Sequence, residues 1–287
     1  MANTKVIFTD LDGTLFYPKK KITLIPRKNV KFLNRFLDDG GRVVLVSGRN
    51  KYFGDKVSKK LHHPVDMIGC NGAFVKCDGK IIKESLFKPR ELEQVFHDMQ
   101  REYKFPLIML FAKDHNVLFP RSMVSIHNSL MYNFYEFLQG AYREPIVKSD
   151  KYFYEAISSG EVYKLFVLFG IAGPAKKMAE KACHLLRLRY PSLNISYSGQ
   201  AIEITPEGCS KDSGIAFYLE YNKIPRDNVL VVGDSGNDIS MFDAYKDGSF
   251  CMSHAPESVK SHAHHIIKRI SDLESFVYPW AETKRQG

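Results

Sequence analysis

The sequence predicts an α/β protein, a largely parallel sheet covered by helices and interrupted by an inserted α+β unit. Short apolar runs such as "KVIFT" (5–9), "RVVLV" (42–46) and "NVLVVGD" (228–234) alternate with stretches of helical periodicity. That is the pattern of strands buried on both faces by crossover helices. Between about 85 and 195 the alternation lapses and strand-like runs follow one another directly. The expected organisation is therefore one domain made of 1–84 and 196–287, and a second made of 85–195. A chain of 287 residues is long enough for two such units, since domains run to roughly 100–200 residues.

Taken in order, strand 5–9 is followed by Val30, Leu33 and Leu37 at i, i+3 and i+7, a helix stopped by Gly40-Gly41. Strand 42–46 precedes a polar helical segment near 51–61 and then "VDMIG" (65–69). Two short strands, 73–77 and 80–84, are expected to form a hairpin around Asp78-Gly79. The inserted unit reads as helix 90–103 opened by Pro89, strands 107–112 and 115–119, helix 123–139, an unassigned stretch 141–160, strand 161–169 and helix 174–189. "AIEIT" (201–205) is expected to restart the βα alternation. A helix from Ser210 to Tyr221, strand 228–234, a short helix from Asn237, and strands near 248–252 and 264–267 follow. The aromatics concentrated in the inserted unit, among them Phe111, Phe119, Tyr132, Phe134, Tyr135, Tyr152, Phe153 and Tyr154, are assigned to core packing.

Composition narrows the function classes. With 44% hydrophobic and 25% charged residues, 13 prolines and 19 glycines, neither a disordered nor a fibrous chain is favoured. Five cysteines, none spaced C-x-x-C, fit reduced thiols and speak against a structural zinc site. No basic-then-apolar leader opens the sequence, and the greasiest run, Leu165 to Ala172, is far short of the roughly 18 residues that span a bilayer. A cytoplasmic protein without a membrane partner is expected. The net charge of +9 and pI near 9.1 raise the question of nucleic acid. Yet Lys and Arg are spread along the chain and the densest cluster, Lys19-Lys20-Lys21, stands alone. A solvated face, or attraction for a small anionic substrate, is the preferred reading, and no nucleic-acid partner is expected.

Chemistry is expected where an open parallel sheet binds ligands, beyond the carboxyl ends of its strands. Four polar stretches fall there: Asp10-Leu11-Asp12-Gly13-Thr14, Ser47-Gly48-Arg49, Asn71-Gly72 and Gly233-Asp234-Ser235-Gly236-Asn237-Asp238. Asp10, Asp12, Asp234 and Asp238 converging on one spot would repel, at about 4 kcal/mol for a pair ~4 Å apart at an effective dielectric near 20. Asx turns or helix caps explain any one of these aspartates but not four at one sheet edge. A cation is expected to hold them, and hard oxygen ligands without histidine or cysteine favour Mg²⁺. A carboxylate so placed can attack phosphorus, and Asp12, two residues beyond Asp10 across a tight turn, is placed to shuttle the proton. Ser47, Gly48 and Lys211 are candidate donors to the remaining phosphate oxygens. His262, His264 and His265 are read as surface histidines without acidic partners, and Cys70 as a small buried filler.

"DLDGTL", "LVSGR", "NGA", "EITPEGCSKDSGI" and "VVGDSGNDISMF" together resemble the motifs of the haloacid dehalogenase superfamily, and within it the Cof-type phosphatases. The resemblance covers the whole chain in order and spacing. It implies a Rossmann-like core with an inserted cap of type C2, Asp10 as nucleophile and magnesium ligand, and Asp12 as acid/base that reaches the metal through its carbonyl. It further implies Ser47 and Lys211 at phosphate-binding positions, Asp234 as a magnesium ligand and Asp238 as a supporting carboxylate. Asn237 would touch the substrate phosphate, and Asn71-Gly72 would form a loop facing the site. The sequence departs from the pattern in Asp212, where glycine is more usual, and in Ser47, where threonine is. The expected function is Mg²⁺-dependent hydrolysis of a small phosphorylated metabolite, a sugar phosphate or a phosphorylated cofactor, through phospho-Asp10. A phosphomutase and a phospho-accepting signalling or binding module are the alternatives.

Overall fold

The structure is a computed structural model that describes residues 5–18, 24–103, 106–120, 130, 144–170 and 173–278. The expected helix 123–139 (apart from residue 130), Tyr132, Phe134, Tyr135 and the Lys19–Lys21 cluster lie outside the described residues.

The first part of the chain supplies β1 (Val6–Thr9), α1 (Arg27–Asp38), β2 (Arg42–Val46), α2 (Tyr52–Leu61), β3 (Asp66–Gly69), β4 (Phe74–Cys77) and β5 (Lys80–Glu84). The middle supplies α3 (Pro89–Glu102), β6 (Leu107–Ala112), β7 (Asn116–Leu118), β8 (Ile146–Lys148), α4 (Asp150–Ser159), β9 (Val162–Leu168), α5 (Gly173–Arg189), β10 (Asn194–Ser198) and β11 (Ala201–Thr205). The chain then adds α6 (Lys211–Asn222), β12 (Val229–Gly233), β13 (Ser249–Met252) and β14 (His265–Ile267). Eight strands form one sheet in the order β14-β13-β12-β1-β2-β3-β4-β5. It is parallel from β14 to β3 and antiparallel through the β4–β5 hairpin.

β1 sits between β2 and β12, with Val6 in register with both Arg42 and Val229. Its side chains alternate between two cores, Ile7 on one face and Val6 and Phe8 on the other, and all three are fully buried. A strand covered on both faces favours apolar side chains throughout, which is why "VIF" reads as a continuous greasy run, and the buried Thr9 hydroxyl is satisfied by the Asp10 carbonyl. α1 buries Asn29, Phe32, Leu33 and Phe36, while Val30 and Leu37 flank that face. The buried stripe is thus centred one position from the Val30-Leu33-Leu37 repeat, because the two Phe rings fill the space over the sheet. Asn29 caps nothing in its own helix. Its Nδ2 donates to the carbonyls of Leu15 (3.2 Å) and Tyr17 (3.4 Å), tying down the loop that leaves β1.

The second sheet has the order β10-β11-β9-β6-β7-β8. One face packs against α3, α4 and α5 around Phe96, Phe119 and Phe153, whose ring centroids lie 4.9–5.0 Å apart. These aromatics are core, as expected, whereas Tyr152 and Tyr154, assigned to the core with them, are exposed. The other face carries Leu107, Met109, Phe111, Leu168 and Ala201 into the core of the first part. By strand parity the same face carries Lys164, Phe166 and Glu203. Two expectations need correcting here. Residues 201–205 do not restart the parallel sheet, since β11 pairs antiparallel with β9 and β10. The expected boundary at 195/196 therefore cuts through β10, and the whole β10–β11 hairpin belongs to the second sheet. Its two-residue turn, Gly199-Gln200 with Gly199 at φ 59°, is the signal that marks it.

The unassigned stretch 141–160 contains β8 and α4, the latter capped by Ser149 accepting the Tyr152 N–H at 3.3 Å. All five cysteines are free and buried. Two of the three histidines do have acidic partners, contrary to the sequence reading. His262 Nδ1 lies 2.8 Å from Asp243 Oδ1, and His264 Nδ1 4.0 Å from Asp247 Oδ1, at exposed or half-exposed positions. Among the described residues no helix is long and apolar enough to cross a membrane.

Candidate active site

The carboxyl ends of β1, β2, β3 and β12 meet beside the point where the strand order reverses. Asp10 is still held in the sheet, its N–H donating to the Val232 carbonyl at 2.9 Å. The chain then turns over Leu11–Leu15, with Asp12 extended (φ −77°, ψ 124°) and Gly13 left-handed (φ 79°). A Cβ on Gly13 would lie 2.3 Å from Asp234 Oδ2, so glycine is required twice over, for the turn and for the close approach. Thr14 Oγ1 donates to Asp234 Oδ1 at 2.8 Å, which joins the turn after β1 to the loop after β12.

Lys211 is the first residue of α6. Ser210 caps that helix, with its Oγ accepting the Ser213 N–H at 3.3 Å and the Ser213 hydroxyl accepting the Ser210 N–H at 3.0 Å. The cap fixes the start of the helix and so the root of the Lys211 side chain. Its Nζ is buried and donates to Asp10 Oδ1 (2.7 Å) and Asp238 Oδ1 (2.6 Å). Asp238 Oδ2 accepts the backbone N–H groups of Asp234 and Ser235, both at 2.9 Å.

Asp10, Asp234 and Asp238 each place an oxygen within 4.8 Å of the others. Burial, and then the neighbouring Asp238 and Asp234, push the Asp10 carboxyl well above the usual carboxylate range against the pull of Lys211. Burial, reinforced by Asp238, pushes Asp234 up to about 7. The Lys211 ammonium is disfavoured by burial, yet Asp10 and Asp238 hold it charged and raise its pKa above the ordinary lysine value. One ammonium against three carboxylates leaves an excess of negative charge that a divalent cation would fit. Both Asp238 oxygens are engaged by Lys211 and N–H groups. Among the described residues no donor lies within hydrogen-bond distance of the second oxygen of Asp10 or of Asp234, although His254 Nε2 stands 3.7 Å from Asp234 Oδ2. Those two oxygens are the available ligand atoms, and an all-oxygen donor set of this kind suits Mg²⁺.

The fourth aspartate departs from expectation. The Asp12 carboxylate does not join the group but is half exposed and takes a forked pair of bonds from Arg49, Nε to Oδ2 and Nη2 to Oδ1 at 2.7 Å. The extended backbone at Asp12 turns its side chain outward, and Arg49, lying 4.3 Å over the Phe53 ring, is there to receive it. Lys211 and Arg49 thus offset much of the repulsion that the sequence alone left to a metal.

The β2 and β3 loops are stitched together. Ser47 donates its N–H to the Ile68 carbonyl (2.9 Å), accepts the Asn71 N–H at its own carbonyl (3.0 Å) and the Arg49 N–H at Oγ (3.2 Å). Asn71 is left-handed (φ 56°), and Gly72 (φ 93°) could carry no Cβ, which would lie 2.1 Å from the Ser210 carbonyl oxygen. The loop is thereby pressed onto the start of α6. Cys70 is wholly buried, and burial pushes its thiol far above the ordinary value, as befits a filler.

Sequence reasoning missed Lys164 and Glu203. Lys164 Nζ lies 3.1 Å from Glu203 Oε1 and donates to the Gly48 carbonyl. Glu203 Oε2 accepts from Asn71 Nδ2 and, at 3.3 Å, from Asn237 Nδ2. Burial would raise the Glu203 pKa, but Lys164 and the Asn71 amide hold it below the usual carboxylate range. A charged residue at an inward position in "VYKLFVL" and in "AIEIT" was the available signal. Beside this pair, a cavity of about 700 Å³ is lined by Asn71, Lys211, Asp234 and Asn237 from the first part, and by Asn194 and Tyr197 from the second sheet.

Residues 7–277 match the family described as haloacid dehalogenase-like hydrolase. The chain is 26% identical over 278 residues to the pyridoxal phosphate phosphatase YbhA of Escherichia coli, covering 96% of this chain and 98% of that one. It is 24% identical over 250 residues to a chloroplastic endoribonuclease, YBEY, of Arabidopsis thaliana, covering 82% of this chain but 39% of that one. Among solved structures, the subclass IIB sugar phosphatase BT4131 superposes with a TM-score of 0.73 at 21% identity over 96% of this chain and 99% of that one. At that identity the likeness establishes the shared fold.

Proposed function

The chain belongs to the haloacid dehalogenase-like hydrolase family, and from that premise we propose that it is a Mg²⁺-dependent phosphatase of small phosphorylated metabolites, working through an aspartyl-phosphate on Asp10. The observation that carries this reading is the environment of Asp10. It sits buried at the end of the central strand, one oxygen held by Lys211 and the other, among the described residues, without a donor, beside Asp234 and a cavity.

In this mechanism one carboxylate oxygen of Asp10 forms a bond to phosphorus while the ester bond to the leaving group breaks in line, the other oxygen being left for the cation. Lys211 keeps Asp10 oriented and places a fixed positive charge beside the phosphoryl oxygens. Asp12 gives its proton to the departing alkoxide. It later takes one from the water that attacks phosphorus, and phosphate leaves as the Asp10 carboxylate is regenerated. For Asp12 to act as an acid, the Arg49 fork has to release it, so the pair describes the resting state. Mg²⁺, held by Asp10 and Asp234 and reached by the Asp12 carbonyl, would supply charge neutralisation for the phosphoryl oxygens. Ser47, Gly48, Asn71, Gly72 and Asn237 surround the place where those oxygens would lie. Asp238 supports the set by fixing Lys211 and the loop after β12.

The substrate class is supported by the relatives. One acts on pyridoxal phosphate and a structural neighbour is a sugar phosphatase, both of which handle small phosphoesters. Incubation with Mg²⁺ and a panel of such esters should release inorganic phosphate, and Asp10→Asn or a chelator should abolish the release. An isomeric ester as product would mark a mutase instead, and a persistent phospho-aspartate without turnover a signalling module. Undiminished hydrolysis by Asp10→Asn would remove the mechanism.

A further inference from the structure

We propose that, in the free protein, the Glu203 carboxylate occupies the place of the substrate's phosphoryl group on the Asn71 and Asn237 amides, so that an incoming phosphate has to displace it. The inference rests on the phosphatase reading above and adds to it a specificity-determining residue from the second sheet. Two amide donors from separate loops, one after β3 and one after β12, converge on a single oxygen, Glu203 Oε2. Convergent N–H donors of this kind form an anion site, and the anion now in it belongs to the protein. Glu203 is 8% exposed and ionised, so it fills that site as a charge and not as a neutral acid.

A phosphate dianion at contact distance from this carboxylate would be repelled by several kcal/mol at an effective dielectric near 20, which rules out both sharing the two amides. Release of Glu203 is coupled to the rest of the second sheet through Lys164, whose ammonium bridges Glu203 Oε1 and the Gly48 carbonyl. Stability gives no reason for the pair, since well-packed apolar residues of similar volume commonly serve as well as a buried ion pair. Competition with the substrate anion does give one. Only an ester whose remaining contacts outweigh the loss of Glu203 would hold the site, and free phosphate would be a poor ligand.

Calorimetric titration of inorganic phosphate in the presence of Mg²⁺ tests this. Glu203→Gln should bind phosphate roughly tenfold tighter than the wild type, the effect of removing one competing charge. Equal or weaker binding would overturn the proposal, and weaker binding would identify Glu203 as a residue that only orders the two amides. Because Glu203→Gln leaves Lys164 buried without its charge partner, the Lys164→Met/Glu203→Gln protein is titrated alongside. It should show the same gain, and it decides the matter if the single variant does not fold. A wild type that binds phosphate yet hydrolyses no ester would defeat the phosphatase reading while the comparison still judges Glu203. Absence of phosphate binding in the wild type and in both variants would overturn both.

Discussion

At the scale of single residues the site is a set of close approaches that only particular side chains permit. Gly13 is the sharpest case, with a left-handed backbone and Asp234 Oδ2 standing 2.3 Å from where a Cβ would be. Gly13→Ala is expected to cost about 1–3 kcal/mol of stability and to lower turnover about a hundredfold by displacing Asp234, read by denaturant unfolding and initial rates. Glu203 makes a second residue-scale prediction. Its folded pKa lies below its ordinary value of 4.5, so the native state binds its proton less readily than the unfolded chain. The stability it contributes is present above about pH 4.5 and is lost as pH falls through the folded pKa. The melting temperature of the wild type relative to Lys164→Met/Glu203→Gln should therefore fall on acidification between about pH 6 and 3. A constant difference would contradict it. The convergence of Asp10 and Asp234 was legible because charges at a strand end before a glycine turn have few structural uses. The Asp12 fork to Arg49 was not, since sequence gives the order of residues along a turn but not which way an extended side chain leaves it.

Secondary elements deliver these side chains, and here the caps matter most. The Ser210–Ser213 exchange fixes the first turn of α6 and with it Lys211. Ser210→Ala should cost about 1 kcal/mol in urea unfolding and reduce turnover by loosening the Lys211 contact with Asp10. Normal stability with normal turnover would show that the helix start is held by other means. Strand and helix positions in the parallel sheet were readable because a strand covered on both faces is a continuous apolar run. The β10–β11 hairpin was not assigned correctly. "AIEIT" satisfies the pattern of a strand in either sheet, and only its antiparallel pairing with β9 decides between them. The same ambiguity hid Lys164 and Glu203, because parity says which residues share a face without saying what that face meets.

Taken whole, the molecule places a largely parallel sheet's acidic crevice against the inward face of a second, largely antiparallel sheet. Two buried carboxylates and a half-buried third, with one lysine, make the crevice anionic, while the chain as a whole carries +9, a sign that favours the approach of phosphate esters. The second sheet contributes a charge pair that touches the loops after β2, β3 and β12 together, so substrate entry and the docking of the two sheets are linked. The central claim is that Asp10 is phosphorylated during turnover. It is tested most directly by quenching Asp12→Asn in acid during incubation with Mg²⁺ and p-nitrophenyl phosphate, whose leaving group needs no proton, and mapping the modified peptide by mass spectrometry. The account predicts one phosphoryl group on the peptide containing Asp10, absent in the Asp10→Asn protein. Phosphate release from the wild type with Asp10 never labelled, and with turnover unchanged in Asp10→Asn, would contradict it.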